Sequence, residues 1–169
     1  NEIKKLKQEK DVSYLDYEDI PDAAKLAIIS IEDKNFTTHH GIDVEGVARA
    51  GLSLILNRGN ITMGGSTITQ QLLKNTVFTE WTSETSFIDK LERKIQEQYL
   101  AVEVEKNINN KNVILENYLN TINLGAGTYG VQAAAHKYFD KDVWDLNLSE
   151  CATLAGITQA PTKYNPISN

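Results

Sequence analysis

The chain has 169 residues, 41% hydrophobic and 24% charged, with a formal net charge of −6. That length supports one well-buried core, and the composition is that of a folded globular domain rather than a disordered segment. The acidic balance argues against nucleic-acid binding through a broad basic surface, and the single cysteine, Cys151, excludes an internal disulfide and any multi-cysteine zinc site.

No run approaches the roughly 18 apolar residues of a membrane-spanning helix, so a membrane anchor, if one serves this protein, is expected outside the chain. The opening "NEIKKLKQEK" reads as a charged, solvated lead-in, and residues 1–19 are expected to be a linker. A first helix follows in "IPDAAKLAIISIED", with Asp19 and Pro21 as start signals and Ala23, Leu26 and Ala27 at helical spacing; it delivers Glu32 and Asp33 to its end. "DVEGVARAGLSLILNRG" is amphipathic, with Val44, Val47, Ala48, Gly51, Leu52 and Ile55 forming one stripe, Asp43 as N-cap and Gly59 as terminator. Arg49 lies off that stripe.

The loop "NITMGGS" leads into "TITQQLLKNTVF", where Thr67 and Gln70 have the Thr-x-x-Gln spacing of a capping box. Ser86 and Asp89 can cap a long helix running to about Lys106, with Ile88, Leu91, Ile95, Tyr99 and Val102 as its stripe. Three shorter helices are predicted near 112–123, 129–139 and 148–159, the last stopping ahead of Pro161, and "PTKYNPISN" reads as extended. No segment reads as a strand, and the predicted class is all-α.

Three stretches place reactive groups at helix ends or on one helix face. "EDKNFTTHHG", residues 32–41, holds two acids and two histidines; His136 lies in a separate helix with no ligand spacing, so His39 or His40 is read as structural, fixing the turn toward Gly41. In "GGSTITQQLLK", glycines allow close backbone approach. Free N–H groups of the new helix, with Ser66, Thr67, Gln70, Gln71 and Lys74, suit an anion or a sugar, although short glycine-polar helix starts are common and ordinary capping is the plainer reading of the stretch alone. In "KLERKIQE", Lys90, Arg93, Lys94 and Glu97 share one helix face, either as a solvated ion-paired surface or as the lining of a polyanion site.

In this order, "EDKNFTTHHG", "GGSTITQQ" and "RKIQE" resemble the first three motifs of the peptidoglycan glycosyltransferases. These are the transglycosylase modules of class A penicillin-binding proteins and their monofunctional relatives. "NVILENYLNTINLGAGTYGVQAAAHKYF" and "LNLSECATLAGITQAPTKYNP" are similar to the later motifs, so the resemblance covers the chain from about Ile20 onward.

The resemblance implies a lysozyme-like helical head over residues 20–169, with a smaller membrane-facing jaw lobe at roughly 60–90. It also implies an inverting reaction that joins lipid II units into β-1,4 glycan strands and releases undecaprenyl diphosphate. Glu32 matches the family's general base, and Glu97 its second glutamate on the donor side. Arg93, Lys94 and Lys74 match the cations that meet the diphosphate, with a divalent ion (Mg or Mn) as a further possibility there. Asp33 and Arg49 would line the cleft, and Ser66, Thr67, Gln70 and Gln71 would form its wall. Several family members carry a lysine where Gln96 stands. Leu72, Leu73, Val77, Phe78, Trp81 and Phe87 would form an apolar lip for lipid tails, against their plain reading as core.

The implied partners are lipid II, the growing glycan strand, the membrane surface and moenomycin-type inhibitors, with a transpeptidase domain fused outside the chain. The implied place is the outer face of the bacterial cytoplasmic membrane. Two other readings stay in view: a lysozyme-like glycan-cleaving enzyme, and a non-catalytic glycan-binding module. The first would not need a cationic helix face such as "RKIQE", and intact Glu32 and Glu97 in motif context argue against the second.

Overall fold

The computed structural model describes residues 14–56, 64–77 and 87–167. Among them the architecture is all-helical, with no strand beyond one isolated bridge between Asn123 and Tyr129. The helices are α1 (Asp22–Glu32), α2 (Val44–Leu56), α3 (Ile68–Thr76), α4 (Phe87–Ile108), α5 (Lys111–Thr121), α6 (Val131–Phe139) and α7 (Leu148–Gln159). Short 3₁₀ turns at Tyr17–Asp19 and Val143–Asp145 precede α1 and α7.

Local signals account for most of these boundaries. Pro21 is the N-cap of α1, where its fixed φ and missing N–H cost nothing. Asn147 caps α7 through a complete capping box with Glu150. At α3 only half of the expected box forms: Thr67 Oγ1 accepts from Gln70 N at 3.2 Å, while the Gln70 side chain turns away to Gly41 and Lys94. After α7 the chain turns rather than extends, with Lys163 N and Tyr164 N both donating to Ala160 O.

One hydrophobic core draws on α1, α3, α5, α6 and α7, including Ile28, Phe36, Ile68, Tyr118, Val131 and Leu154. Helix α1 lies mainly against α7, and α3 lies between α4 and α5. The lead-in at residues 1–10 lies outside the described residues, but within the expected linker Leu15 is buried, and its backbone N–H and C=O both bond the Asn120 side chain at 2.9 Å.

Two helices present the reverse of the face their periodicity suggests. On α4 the apolar stripe of Ile88, Leu91, Ile95 and Tyr99 is exposed, and the polar face with Glu97, Ala101 and Glu105 turns inward. On α2, Val44, Val47, Leu52 and Leu56 are likewise exposed. Leu73 is buried beside Ala101, Leu72 packs against the main core, and among the described residues of the expected lip only Val77 stands exposed. Gly59, Phe78, Trp81, Ser86 and the Phe87 side chain lie outside the described residues, as does much of the expected jaw.

Candidate active site

Glu32 ends α1 and meets α3 and α7. Gln71 Nε2 donates to its Oε2 at 2.6 Å, Gln159 Nε2 donates to its Oε1 at 2.8 Å, and Thr158 Oγ1 also donates to Oε1. All three donors are neutral. Tyr118, buried on α5, donates to Gln71 Oε1 at 3.0 Å.

Asp33 follows Glu32 in the chain and has a different role. Its side chain is 2% exposed, and Oδ2 accepts from Ile68 N at 2.9 Å while standing 2.8 Å from His39 Nε2. Rather than facing an open cleft wall, Asp33 receives the N-terminus of α3, where a carboxylate offsets unpaired N–H groups and the helix dipole. His39 Nδ1 accepts from Gly41 N at 3.2 Å, which places the ring proton on Nε2, toward Asp33. The register of the two histidines is thereby resolved: His39 is inside and His40 is exposed.

The ion-paired layer continues to Lys111 Nζ, 2.6 Å from Glu105 Oε2, and to Thr69 Oγ1, which donates to Glu105 Oε1 at 2.5 Å. Glu105 and Lys111 were not singled out by sequence, since they sit at the far end of α4 and the start of α5 with no motif spacing to Asp33.

A second centre forms where α4 crosses the start of α3. Glu97 is 2% exposed; Arg93 pairs with its Oε1, and Lys94 Nζ stands 3.0 Å from its Oε2. The same Lys94 ammonium donates to Ser66 Oγ at 2.6 Å and to Gln70 Oε1 at 3.3 Å. Arg93, Lys94 and Glu97 of "KLERKIQE" thus form an ion-paired face that Lys94 ties to Ser66 and Gln70 rather than one turned wholly to solvent. Lys74 is exposed one turn beyond Gln70, Gln96 turns to Glu92 in a long 3.5 Å contact, and the Lys90 side chain lies outside the described residues.

Arg49 is half-exposed and stands 3.5 Å from Asp43, not from either glutamate. Burial of the Asp43 carboxyl acts to raise its pKa, but backbone N–H groups of Gly46 and Glu45, the Asn35 amide and the Arg49 charge outweigh it and hold it below the ordinary carboxylate value. Those backbone contacts make Asp43 the N-cap of α2, as the sequence suggests.

Sequence reasoning missed Thr158, Gln159 and Tyr118. Thr158 and Gln159 lie within the quoted "GITQAPT", but their partner is 126 and 127 residues earlier, and no local period reports such a pairing.

One acid lies among neutral donors and a second between cations, joined by a single helix. This combination suits an enzyme that transfers a sugar away from an anionic leaving group. The comparisons with known proteins make that class specific. A family model described as Transglycosylase matches residues 1–169. A penicillin-binding protein 1A of Clostridium perfringens (strain 13 / Type A) is 50% identical over 154 residues, covering 89% of this chain and 22% of that protein. The proteins of the same name from Aquifex aeolicus and Pseudomonas aeruginosa are 46% and 44% identical over 153 residues, covering 90% of the chain and 20% and 18% of those proteins. The chain belongs to the transglycosylase family, and its activity class is that of a peptidoglycan glycosyltransferase. It spans about a fifth of the length of the relatives it matches.

Proposed function

We propose that this domain polymerises lipid II into β-1,4 glycan strands with inversion at the anomeric carbon and release of undecaprenyl diphosphate. Glu32 is the general base that takes the proton of the attacking 4-hydroxyl. The observation that carries the reading is the contrast between the two acids. Among the described residues Glu32 is oriented by neutral donors alone, with no cation paired to it, which leaves it an acceptor for an incoming hydroxyl proton. Glu97 instead anchors Arg93 and Lys94, which fixes two cations where a departing diphosphate needs charge stabilisation. Ser66 and Gln70 hold Lys94 from the α3 side, and exposed Lys74 extends the cationic surface. A glycan-cleaving enzyme has no anionic leaving group to meet at such a centre.

The described residues do not fit a divalent ion held by protein. No group of three His, Cys, Asp or Glu among them is arranged to hold a metal ion, and both oxygens of Glu97 face cations.

The exposed apolar residues of α2 and α4 favour work against a lipid surface, at the outer face of the cytoplasmic membrane. Among the described residues no helix is long and apolar enough to cross a membrane. The length of the relatives beyond this match, together with their name, favours a transpeptidase domain fused to the same parent chain.

Polymerisation of fluorescent lipid II, read as glycan chains on a gel, tests the proposal. Wild type makes chains and Glu32→Gln makes none; normal chains from Glu32→Gln would remove Glu32 as the base.

A further inference from the structure

The three hydrogen bonds to Glu32 are shared unevenly between its oxygens. Oε1 meets both Thr158 Oγ1 and Gln159 Nε2, whereas Oε2 meets only Gln71 Nε2 among the described residues. A carboxylate oxygen offers two lone pairs, so Oε1 is filled and Oε2 keeps one open. Behind Gln71 stands Tyr118, fully buried in the main core, with its hydroxyl on Gln71 Oε1.

The two ends of an amide are opposites, one accepting and one donating, and nothing in the glutamine itself chooses which faces Glu32. Donation from the phenol onto Oε1 fixes that choice: the N–H end points at the carboxylate, and the chain of two bonds polarises in one direction. Burial, reinforced by the charges of Glu32 and Asp33, pushes the Tyr118 pKa well above its ordinary value. The phenol is therefore a donor at every working pH.

We propose that Oε2 of Glu32 is the atom that receives the acceptor's proton, and that Tyr118, acting through Gln71, is the positioning residue that holds this oxygen in place. The inference rests on the reading of Glu32 as the general base. In the step itself the acceptor O–H breaks, its proton passes to Oε2, and its electron pair forms the bond to the anomeric carbon. The bond from that carbon to the diphosphate breaks, its pair leaving on the diphosphate. Thr158 and Gln159 hold the other oxygen and take no proton.

Steady-state polymerisation of fluorescent lipid II by Tyr118→Phe tests this, with melting curves taken alongside. Misplacing a reacting group by a fraction of an ångström costs about 5- to 20-fold in rate. That loss is expected in kcat, with KM unchanged within about twofold, since Tyr118 contacts no substrate. Because Tyr118 acts through Gln71, adding Tyr118→Phe to Gln71→Ala is expected to cause no further loss. If the phenylalanine variant does not fold, Gln71→Met at its half-buried position reads the same relay, with a kcat loss of at least the same size.

Wild-type kcat in Tyr118→Phe or Gln71→Met, a loss confined to KM, or an equal loss in the Gln71→Ala background would each overturn the proposal. Glu32→Gln in the same assay separates the two layers. Full activity there removes the base itself, whereas an inactive Glu32→Gln beside a wild-type-like Tyr118→Phe removes only the positioning role.

Discussion

Replacing Gly41 with alanine is expected to be among the most damaging single-methyl additions to this domain. Gly41 has φ +88°, and a β-carbon there would lie 2.6 Å from the backbone C and O of Ala101 and the backbone N of Val102. The obstacle is the helical backbone of α4, which cannot swing aside as a side chain can. A left-handed conformation costs a β-carbon about 1–2 kcal/mol, and forcing a methyl into packed structure costs about 1–3 kcal/mol. The sum, about 2–5 kcal/mol, is a large part of the roughly 5–15 kcal/mol that holds a domain folded. At about 2–4 °C per kcal/mol for a chain of this size, the melting temperature falls by roughly 4–20 °C. The displacement also pulls on three bonds, since Gly41 O accepts from Thr67 Oγ1 at 2.8 Å and Gln70 Nε2 at 3.4 Å, and Gly41 N donates to His39. Urea unfolding followed by circular dichroism measures the loss, with Gly51→Ala as control. Gly51 lies in α2 with nothing within 4 Å of an added methyl, so alanine there is expected to stabilise by about 0.5–1 kcal/mol through helix propensity. A Gly41→Ala cost below about 1 kcal/mol would refute the steric argument.

Three further outcomes follow from the same contacts. His39→Ala removes the partner of buried Asp33 and the acceptor for Gly41 N, and is expected to cost about 2–3 kcal/mol in urea unfolding; His40→Ala, at an exposed position, is expected to stay within about 0.5 kcal/mol. Asp43 has a depressed folded-state pKa, so its charge contributes stability that is present above the unfolded value and lost as pH falls through the folded one. Thermal melts of wild type and Asp43→Asn are therefore expected to differ at neutral pH and to converge in the acid range below the ordinary carboxylate value, and a gap that stays constant with pH would refute this assignment. Lys94→Ala removes an ammonium that joins Ser66, Gln70 and Glu97, and is expected to weaken binding of the phosphoglycolipid moenomycin at least tenfold by calorimetry. Unchanged affinity would count against Lys94 as a cation of the proposed diphosphate site.

Much of the helix order was legible in the sequence because its causes are local. Pro21 and Asp43 act within one turn of where they stand, and α7 has the bounds that the apolar spacing and Pro161 suggest. What periodicity could not show is which side of a helix another element covers. The stripe on α4 is a genuine apolar row, yet the opposite face is buried, because there Lys94 finds Ser66 and Gln70 on the α3 side, 28 and 24 positions earlier in the chain, and in turn pairs with Glu97. His39 and His40 are chemically identical neighbours, and only the placement of Asp33 and Lys111 distinguishes them. Asp33 itself stands next to a glutamate in a motif of reactive residues. Its role as the receiver of Ile68 N became visible only when α3 was brought against the end of α1.

Helix α3 then explains why residues with no chemistry of their own recur throughout the site. Gln70 and Gln71 are consecutive, so their side chains diverge by about 100° around the helix. One reaches Lys94 of the cationic centre, and the other reaches Glu32. The separation of the two acids is therefore set by a nine-residue helix. The start of that helix is held by Asp33 on Ile68 N and by Thr67 on Gly41 O. A shift of its N-terminus moves both partners at once, whereas a change at Thr158 or Arg93 touches a single centre. Substitutions at Thr67 and Gly41 should accordingly lower base-side and diphosphate-side function together, although neither residue needs to contact the reacting atoms.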